Sequence, residues 1–156
     1  MKATGSAHLE IERKFLVTKM PENLSGYPHA KIDQGYLAIG SDGVQVRLRK
    51  AGAKHSLTYK RGRGNAREER EVDLTPEQFA LLWPATEGKR LTKTRYEVPL
   101  GSHLVELDIF TGLHEGLVVA EVEFSDTDAA CRFEPPDWLG DDVTHDPRYS
   151  NQLLAS

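Results

Sequence analysis

The sequence predicts a mainly β, α+β fold, an antiparallel sheet or barrel of about eight strands with a few short helices. Three observations carry that prediction. Segment after segment alternates apolar and charged residues with a period of two, the spacing at which side chains take opposite faces of a strand. Short turns rich in glycine, serine and aspartate separate most of these segments, which is hairpin chemistry. The charged positions are also selective, with glutamates and arginines where a wetted strand face carries a loose mixture of Thr, Ser, Lys and Gln.

The first segment, Glu10–Val17 (EIERKFLV), sets the pattern. Glu10, Glu12 and Lys14 share one face, Ile11 and Arg13 the other, and the strand ends in Phe15-Leu16-Val17. Carboxylates one strand repeat apart lie about 7 Å from each other along the backbone, from a rise of about 3.3 Å per residue. They can converge on one hard cation, with the lysine a step further along to meet an anion. A solvated surface strand has the same pattern, so this segment alone leaves both readings open.

Thr18–Pro28 reads as a connection. A second strand follows over Ala30–Ile39, where Gly35 marks a bulge or a close backbone approach. Gly40-Ser41-Asp42-Gly43 turns the chain into Val44–Lys50, with Val44, Val46 and Leu48 opposite Gln45, Arg47 and Arg49. Ala51-Gly52-Ala53 leads to Lys54–Lys60, with Leu57 and Tyr59 opposite Thr58 and Lys60. The basic, glycine-rich stretch 61–66 (RGRGNA) lacks the Gly-Lys-Ser/Thr ending of a P-loop and reads as a solvated hairpin loop. Arg67–Leu74 places Glu69, Glu71 and Asp73 on one face. Thr75-Pro76-Glu77-Gln78 is a helix start with a capping box, Phe79, Leu82 and Trp83 form its buried stripe, and Pro84 ends it.

The second half repeats the theme. Leu91–Pro99 sets Lys93, Arg95 and Glu97 against Tyr96 and Val98. His103–Phe110 sets Glu106 and Asp108 against Val105, Leu107 and Ile109, and Leu117–Phe124 sets Glu121 and Glu123 against Val122 and Phe124. Ser125 or Asp126 caps a short helix on which Cys131 reads as a small packing residue, and Asp146-Pro147 starts a last helix running through Leu154.

The 156 residues fit one domain, 1–156, with no dividing linker. At 38% apolar and 28% charged the composition is that of a globular chain, and the net charge of −4 gives no basic surplus for a nucleic-acid surface. A lone cysteine excludes an internal disulfide and points to a reducing compartment. No apolar run approaches the ~20 residues that span a bilayer, and Met1–His8 has no hydrophobic signal region. The expected location is the cytoplasm, without a membrane partner, as a monomer or homodimer.

Charges of both signs on neighbouring strands leave two arrangements: a sandwich with a wet charged face, or a barrel with charges inside. An eight-strand barrel can hold a ligand in its lumen. A charged lumen must be paired, hydrated or ion-bound, since each lone buried ion costs several kcal/mol.

The ordered series of motifs decides between them. Glu10-Ile11-Glu12-Arg13-Lys14 resembles the Glu-x-Glu-x-Lys signature of the CYTH superfamily, the triphosphate tunnel metalloenzymes. Gln34-Gly35-Tyr36-Leu37, Val46-Arg47-Leu48-Arg49, Leu57-Thr58-Tyr59-Lys60, Glu69-Arg70-Glu71, Lys93-Thr94-Arg95-Tyr96-Glu97, Glu106-Leu107-Asp108 and Glu121-Val122-Glu123 are similar to that family in the expected order. The likeness covers about residues 8 to 124 and extends weakly to Arg148-Tyr149-Ser150-Asn151. It implies a closed eight-stranded antiparallel β-barrel, a triphosphate tunnel, with the short helices packed outside. It also implies a divalent metal and one of several activities: inorganic triphosphatase, thiamine triphosphatase, RNA triphosphatase or class IV adenylyl cyclase.

The residues fit that chemistry on their own terms. Lys14, Arg47, Arg49, Lys60, Lys93 and Arg95 supply the cations for a small anionic triphosphate, arginines by bidentate forks and lysines as point charges. They are the expected substrate-binding and catalytic set. Carboxylate donors without paired Cys or His ligands indicate Mg²⁺ or Mn²⁺ rather than Zn²⁺. The resemblance puts Glu10, Glu12 and Glu123 first as metal ligands, with Glu121 and Asp108 next. Glu69, Glu71 and Glu106 are supporting residues that orient the cations or position water. Short hairpins leave little room for a nucleoside, so hydrolysis of inorganic triphosphate to diphosphate and phosphate is the expected reaction. The alternatives are a cyclase or thiamine triphosphatase, and a phosphate- or polyphosphate-binding module without turnover.

Overall fold

A computed structural model of the chain describes residues 5–62 and 65–155. The strands are β1 (Gly5–Val17), β2 (His29–Ile39), β3 (Gln45–Ala51), β4 (Lys54–Arg61), β5 (Ala66–Asp73), β6 (Arg90–Leu100), β7 (His103–Thr111), β8 (Val118–Phe124) and β9 (Leu139–Asp142). Three short helices join them: α1 (Pro76–Leu82), α2 (Thr127–Arg132) and α3 (Asn151–Leu154). Neighbours run β5-β4-β3-β2-β6-β7-β8-β1, and β1 pairs back onto β5, so eight antiparallel strands close into the expected barrel. Long β1 makes the closure: its first half pairs with β5 and its second half with β8 and β9.

The apolar core lies largely outside the barrel wall. Ile11, Phe15, Val105, Leu107, Val122 and Phe124 point outward and are covered by α2, β9 and the segment around Phe133 and Trp138. Full burial of such side chains is worth roughly 1.5–3 kcal/mol each. Arg13, also outward, clamps this cover: its guanidinium donates to Asp142 at 2.9 Å and 3.0 Å and to the carbonyls of Ala130 and Phe133 at 3.0 Å. Strand β9 was not foreseen; four residues behind Pro135-Pro136 without alternation carry no strand signal.

Local expectations fare variously. Thr75 and Gln78 form the capping box, with Gln78 N–H donating to Thr75 Oγ1 at 3.1 Å and Thr75 N–H to Gln78 Oε1 at 2.9 Å. Phe79 is buried and stacks on Trp83. Pro84 opens a 3-10 turn (Trp83–Thr86) that continues α1 rather than stopping the chain. Gly35 is a close approach, because a Cβ there would sit 2.6 Å from Thr86. Cys131 is exposed, not packed. The expected C-terminal helix is broken: Asp146 caps a 3-10 turn (Pro147–Tyr149), Ser150 is extended, and α3 starts anew with Ser150 as its cap. Within the basic loop 61–66, positions 63 and 64 lie outside the described residues, as do 1–4 of the N-terminus. Among the described residues no helix is long and apolar enough to cross a membrane.

Inward-facing rows grade along the barrel axis. On β1 they run Glu10, Glu12, Lys14, Leu16; on β8 they run from Glu123 and Glu121 to Val119. The apolar ends of these rows, Leu16, Leu91, Phe110 and Val119, gather with Tyr36 and with Leu154 and Ala155 of the C-terminal segment. One end of the tunnel is therefore an acidic rim and the other is closed by apolar residues and the chain's own C-terminal turn.

Candidate active site in the tunnel

The lumen holds a cavity of about 170 Å³. β1 contributes Glu10, Glu12 and Lys14, β3 contributes Arg47 and Arg49, and β4 contributes Lys60. β5 adds Glu69 and Glu71, β6 Arg95, β7 Glu106, and β8 Glu121 and Glu123. Each reaches it by strand parity alone, since residues two apart share a face. Cross-strand register then sets acids beside cations at Lys14 opposite Glu121 and Lys60 opposite Glu69, and acid beside acid at Glu12 opposite Glu123.

Burial makes these pairings obligatory. Lys60 Nζ donates to Glu10 Oε1 at 2.9 Å and lies 3.4 Å from Glu69, and Lys14 Nζ is 3.6 Å from Glu121. Burial would raise Glu10, but Lys60 and a hydrogen bond with Glu69 bring it down to about 2. For Glu12, burial and the carboxylates of Glu121 and Glu10 outweigh Lys60 and Lys14 and push it up to about 8. Burial and the hydrogen bond shared with Glu10 raise Glu69 to about 7. On the cationic side, burial with Arg47 and Arg95 presses Arg49 down to about 9, still charged at neutral pH. Arg49 donates from Nε and Nη2 to Gln34 Oε1 at 3.0 Å and 2.9 Å, a neutral acceptor where a phosphate oxygen would serve better.

Two expected residues stand behind the cavity instead of in it. Asp108 is 1% and Lys93 0% exposed, and neither lines the lumen. Both Asp108 oxygens are taken: Arg95 donates to them at 2.8 Å and 2.9 Å, and Lys93 Nζ lies 2.7 Å away. Asp108, expected among the metal ligands, here turns its lone pairs to Arg95 and Lys93. Lys93 likewise meets Asp108 and Asn151 Oδ1 (3.2 Å) rather than the cavity, and burial, with Arg95 and Arg49 nearby, lowers it to about 7 despite Asp108. Glu97 follows the inward parity of β6 but is exposed beyond the rim.

The cavity also includes residues not assigned to the site from the sequence: Tyr36 and Gln45, named there only for their motif and strand face, Arg67, and the turn Ser150-Asn151-Gln152, of which Ser150 and Asn151 fall in the weak extension of the likeness. Arg67 shares the parity of Glu69 and Glu71, a signal that was present. Tyr36 sits beside a register shift of β2, and the return of the C-terminal turn into the barrel has no local signature. Tyr36 Oη, Arg47 Nε, Arg67 Nε and Gln152 Oε1 are buried without a hydrogen-bond partner, a cost that a bound polar ligand would relieve.

The chain matches the CYTH domain signature over residues 8–134. The chain belongs to the CYTH domain family. Within reach of that family, an inorganic triphosphatase of Nitrosomonas europaea is 47% identical over 148 residues, covering 94% of this chain and 96% of that protein. An inorganic triphosphatase of Acetivibrio thermocellus is 36% identical over 154 residues, covering 94% and 92%. A solved inorganic triphosphatase structure superposes on this CYTH barrel with a TM-score of 0.69 at 44% identity, covering 94% of this chain and 93% of the other.

Among the described residues, no three of His, Cys, Asp and Glu already converge on one metal position. The donor set of the CYTH tunnel nevertheless fits a hard divalent cation. Glu10, Glu12, Glu121 and Glu123 face one cavity, and Glu12, raised by burial and by the neighbouring carboxylates, is crowded by like charge that a dication would relieve.

Proposed function

We propose that the protein is a metal-dependent hydrolase that cleaves inorganic triphosphate to diphosphate and phosphate. The observation that carries this reading is a lumen in which Lys14, Arg47, Arg49, Lys60 and Arg95 face the carboxylates Glu10, Glu12, Glu121 and Glu123 across a cavity of about 170 Å³. That volume is below the ~300–1,000 Å³ of pockets for drug-sized ligands, which favours a bare phosphate chain over a nucleotide. The full-length likeness to inorganic triphosphatases supports the same substrate.

In this reading Arg47 and Arg49 grip the phosphate oxygens with their forks, and Lys14 and Lys60 add point charge. Glu10, Glu12 and Glu123, with Glu121, hold Mg²⁺ or Mn²⁺, which when bound neutralises phosphate charge and activates water. Asp108 fixes Arg95, and Glu69 and Glu71 are left to position water. Substrate exchange of protein pairings for phosphate oxygens leaves the charges satisfied in both states. Exposed Cys131 is compatible with a reducing compartment such as the cytoplasm.

A phosphate-release assay with triphosphate, ATP, thiamine triphosphate and long polyphosphate, each with Mg²⁺ and Mn²⁺, tests the reading. Triphosphate is expected to turn over at least about a hundredfold faster than ATP is cyclised, since cyclisation needs a gripped nucleoside. Rapid cyclic AMP formation with poor triphosphate cleavage reverses the assignment. Tight binding without phosphate release under either metal identifies a sensing module. Arg49→Ala should raise KM for triphosphate about tenfold or more, the loss of one charge-assisted fork.

A further inference from the structure

A second cavity, of about 290 Å³, lies behind the first, at the end of the tunnel away from the acidic rim. The turns before β3 and β5 border it through Gly43 and Gly62, and the segment 143–147 after β9 forms its outer wall. Lys14, Gln45, Arg67, Ser150 and Gln152 face both cavities. The rear space thus already has Lys14 and Arg67 as cations, and what divides it from the front is the C-terminal turn.

That turn is fastened from several sides. Lys14 Nζ donates to the Tyr149 carbonyl at 3.1 Å and Lys93 Nζ to Asn151 Oδ1 at 3.2 Å. Beyond it, His114 Nε2 meets the Leu154 carbonyl at 2.5 Å, and Ala155 is buried among Tyr36, Leu91, Phe110 and Val119. Ser150 holds its place by capping α3 and by donating from Oγ to the Pro147 carbonyl at 2.8 Å. Gln152 is different. Its Oε1 is buried with no hydrogen-bond partner, as is Arg67 Nε. An amide left unsatisfied at the seam between two cationic spaces costs stability and contributes no anchoring bond through that oxygen.

We propose that Gln152, with Ser150, is a specificity-determining wall: it stops the phosphate chain in the front cavity and bars longer linear polyphosphates from running through to the rear. The inference rests on the triphosphatase reading above and adds a limit on chain length. Lys14 and Arg67 offer the rear space positive charge for a phosphate, beside the Asp146 carboxylate that also lines it. The partition is steric: the Gln152 side chain, with Ser150, fills the seam that both cavities share.

The test compares triphosphate, tetraphosphate and long-chain polyphosphate on the wild type, Gln152→Ala, Gln152→Ser and Gln152→Met. The wild type is expected to favour triphosphate over tetraphosphate by at least about tenfold in kcat/KM, within the discrimination a shaped pocket achieves. Gln152→Ala and Gln152→Ser should shrink that ratio at least about fivefold, while Gln152→Met, which fills the same space, keeps it. A wild type that cleaves tetraphosphate as well as triphosphate overturns the proposal, and so does a folded Gln152→Ala or Gln152→Ser with an unchanged ratio. Calorimetric binding of the two shorter chains reads the same preference without turnover. Preferential triphosphate binding with no phosphate release therefore sinks the hydrolase reading while leaving the wall in place.

Discussion

Glu12→Gln is expected to lower triphosphate hydrolysis at least about a hundredfold, or roughly 2.7 kcal/mol of barrier, while making the metal-free protein more stable at alkaline pH. The two signs come from one cause. Glu12 is buried beside Glu121 and Glu10, and its carboxyl is raised from 4.5 to about 8. The folded metal-free protein therefore keeps a proton that the unfolded chain loses. Stability from this group is full below about pH 4.5 and is lost as pH rises to about 8, since the unfolded state then binds fewer protons. Gln mimics the protonated acid and removes that loss. A penalty of a few kcal/mol would shift melting by several degrees, at about 2–4 °C per kcal/mol for a chain of this size. Melting curves from about pH 5 to 9, with chelator, should show the wild type falling and the variant holding level. A folded variant with near-normal turnover would remove Glu12 from the metal site. Parallel pH profiles would remove the electrostatic account of its burial.

Strand parity made the strands and their charged faces legible, while the closing of the sheet around those faces was implied by the family likeness. Period-two alternation needs no knowledge of distant partners, so Arg47 and Arg49, Glu121 and Glu123, or Glu10 and Glu12 could each be placed on one face from their own segment. Hairpin turns such as Gly40–Gly43 were equally local, with Val44 N–H donating to Asp42 Oδ1 at 3.2 Å and Gly43 at φ 86°. What parity cannot give is depth along the strand. Asp108, Lys93, Glu106 and Arg95 all point inward, yet the first two lie behind the cavity wall and the others line it. Parity also says nothing about chain segments that return from far away. The turn 150–152 enters the tunnel because Ala155 finds an apolar floor made by Tyr36, Leu91, Phe110 and Val119, four positions from four strands. No window of the sequence contains that floor.

The depth of Asp108 leads to the second large effect: Asp108→Asn should cost about 3–5 kcal/mol of stability, the usual result of removing one partner from a buried charge cluster. Burial opposes the Asp108 charge, yet Arg95 and Lys93 hold its carboxyl below the ordinary value. Asparagine keeps the shape and one acceptor oxygen but leaves Arg95 with only Glu106 (3.0 Å) and more distant Glu121 (3.9 Å), and Lys93 with the Asn151 amide. Lys93, already pressed down to about 7, would lose the one carboxylate hydrogen-bonded distance away and fall further. Thermal melting reads the stability loss, and Mn²⁺ titration followed by paramagnetic resonance reads the metal site independently of turnover. A positioning Asp108 predicts lowered melting, Mn²⁺ affinity within about threefold of wild type, and a weaker grip on triphosphate through the loosened Arg95. A metal-ligating Asp108 predicts the reverse pattern, in which Mn²⁺ affinity collapses while melting in chelator barely moves, since the metal-free fold would then have gained nothing from the carboxylate.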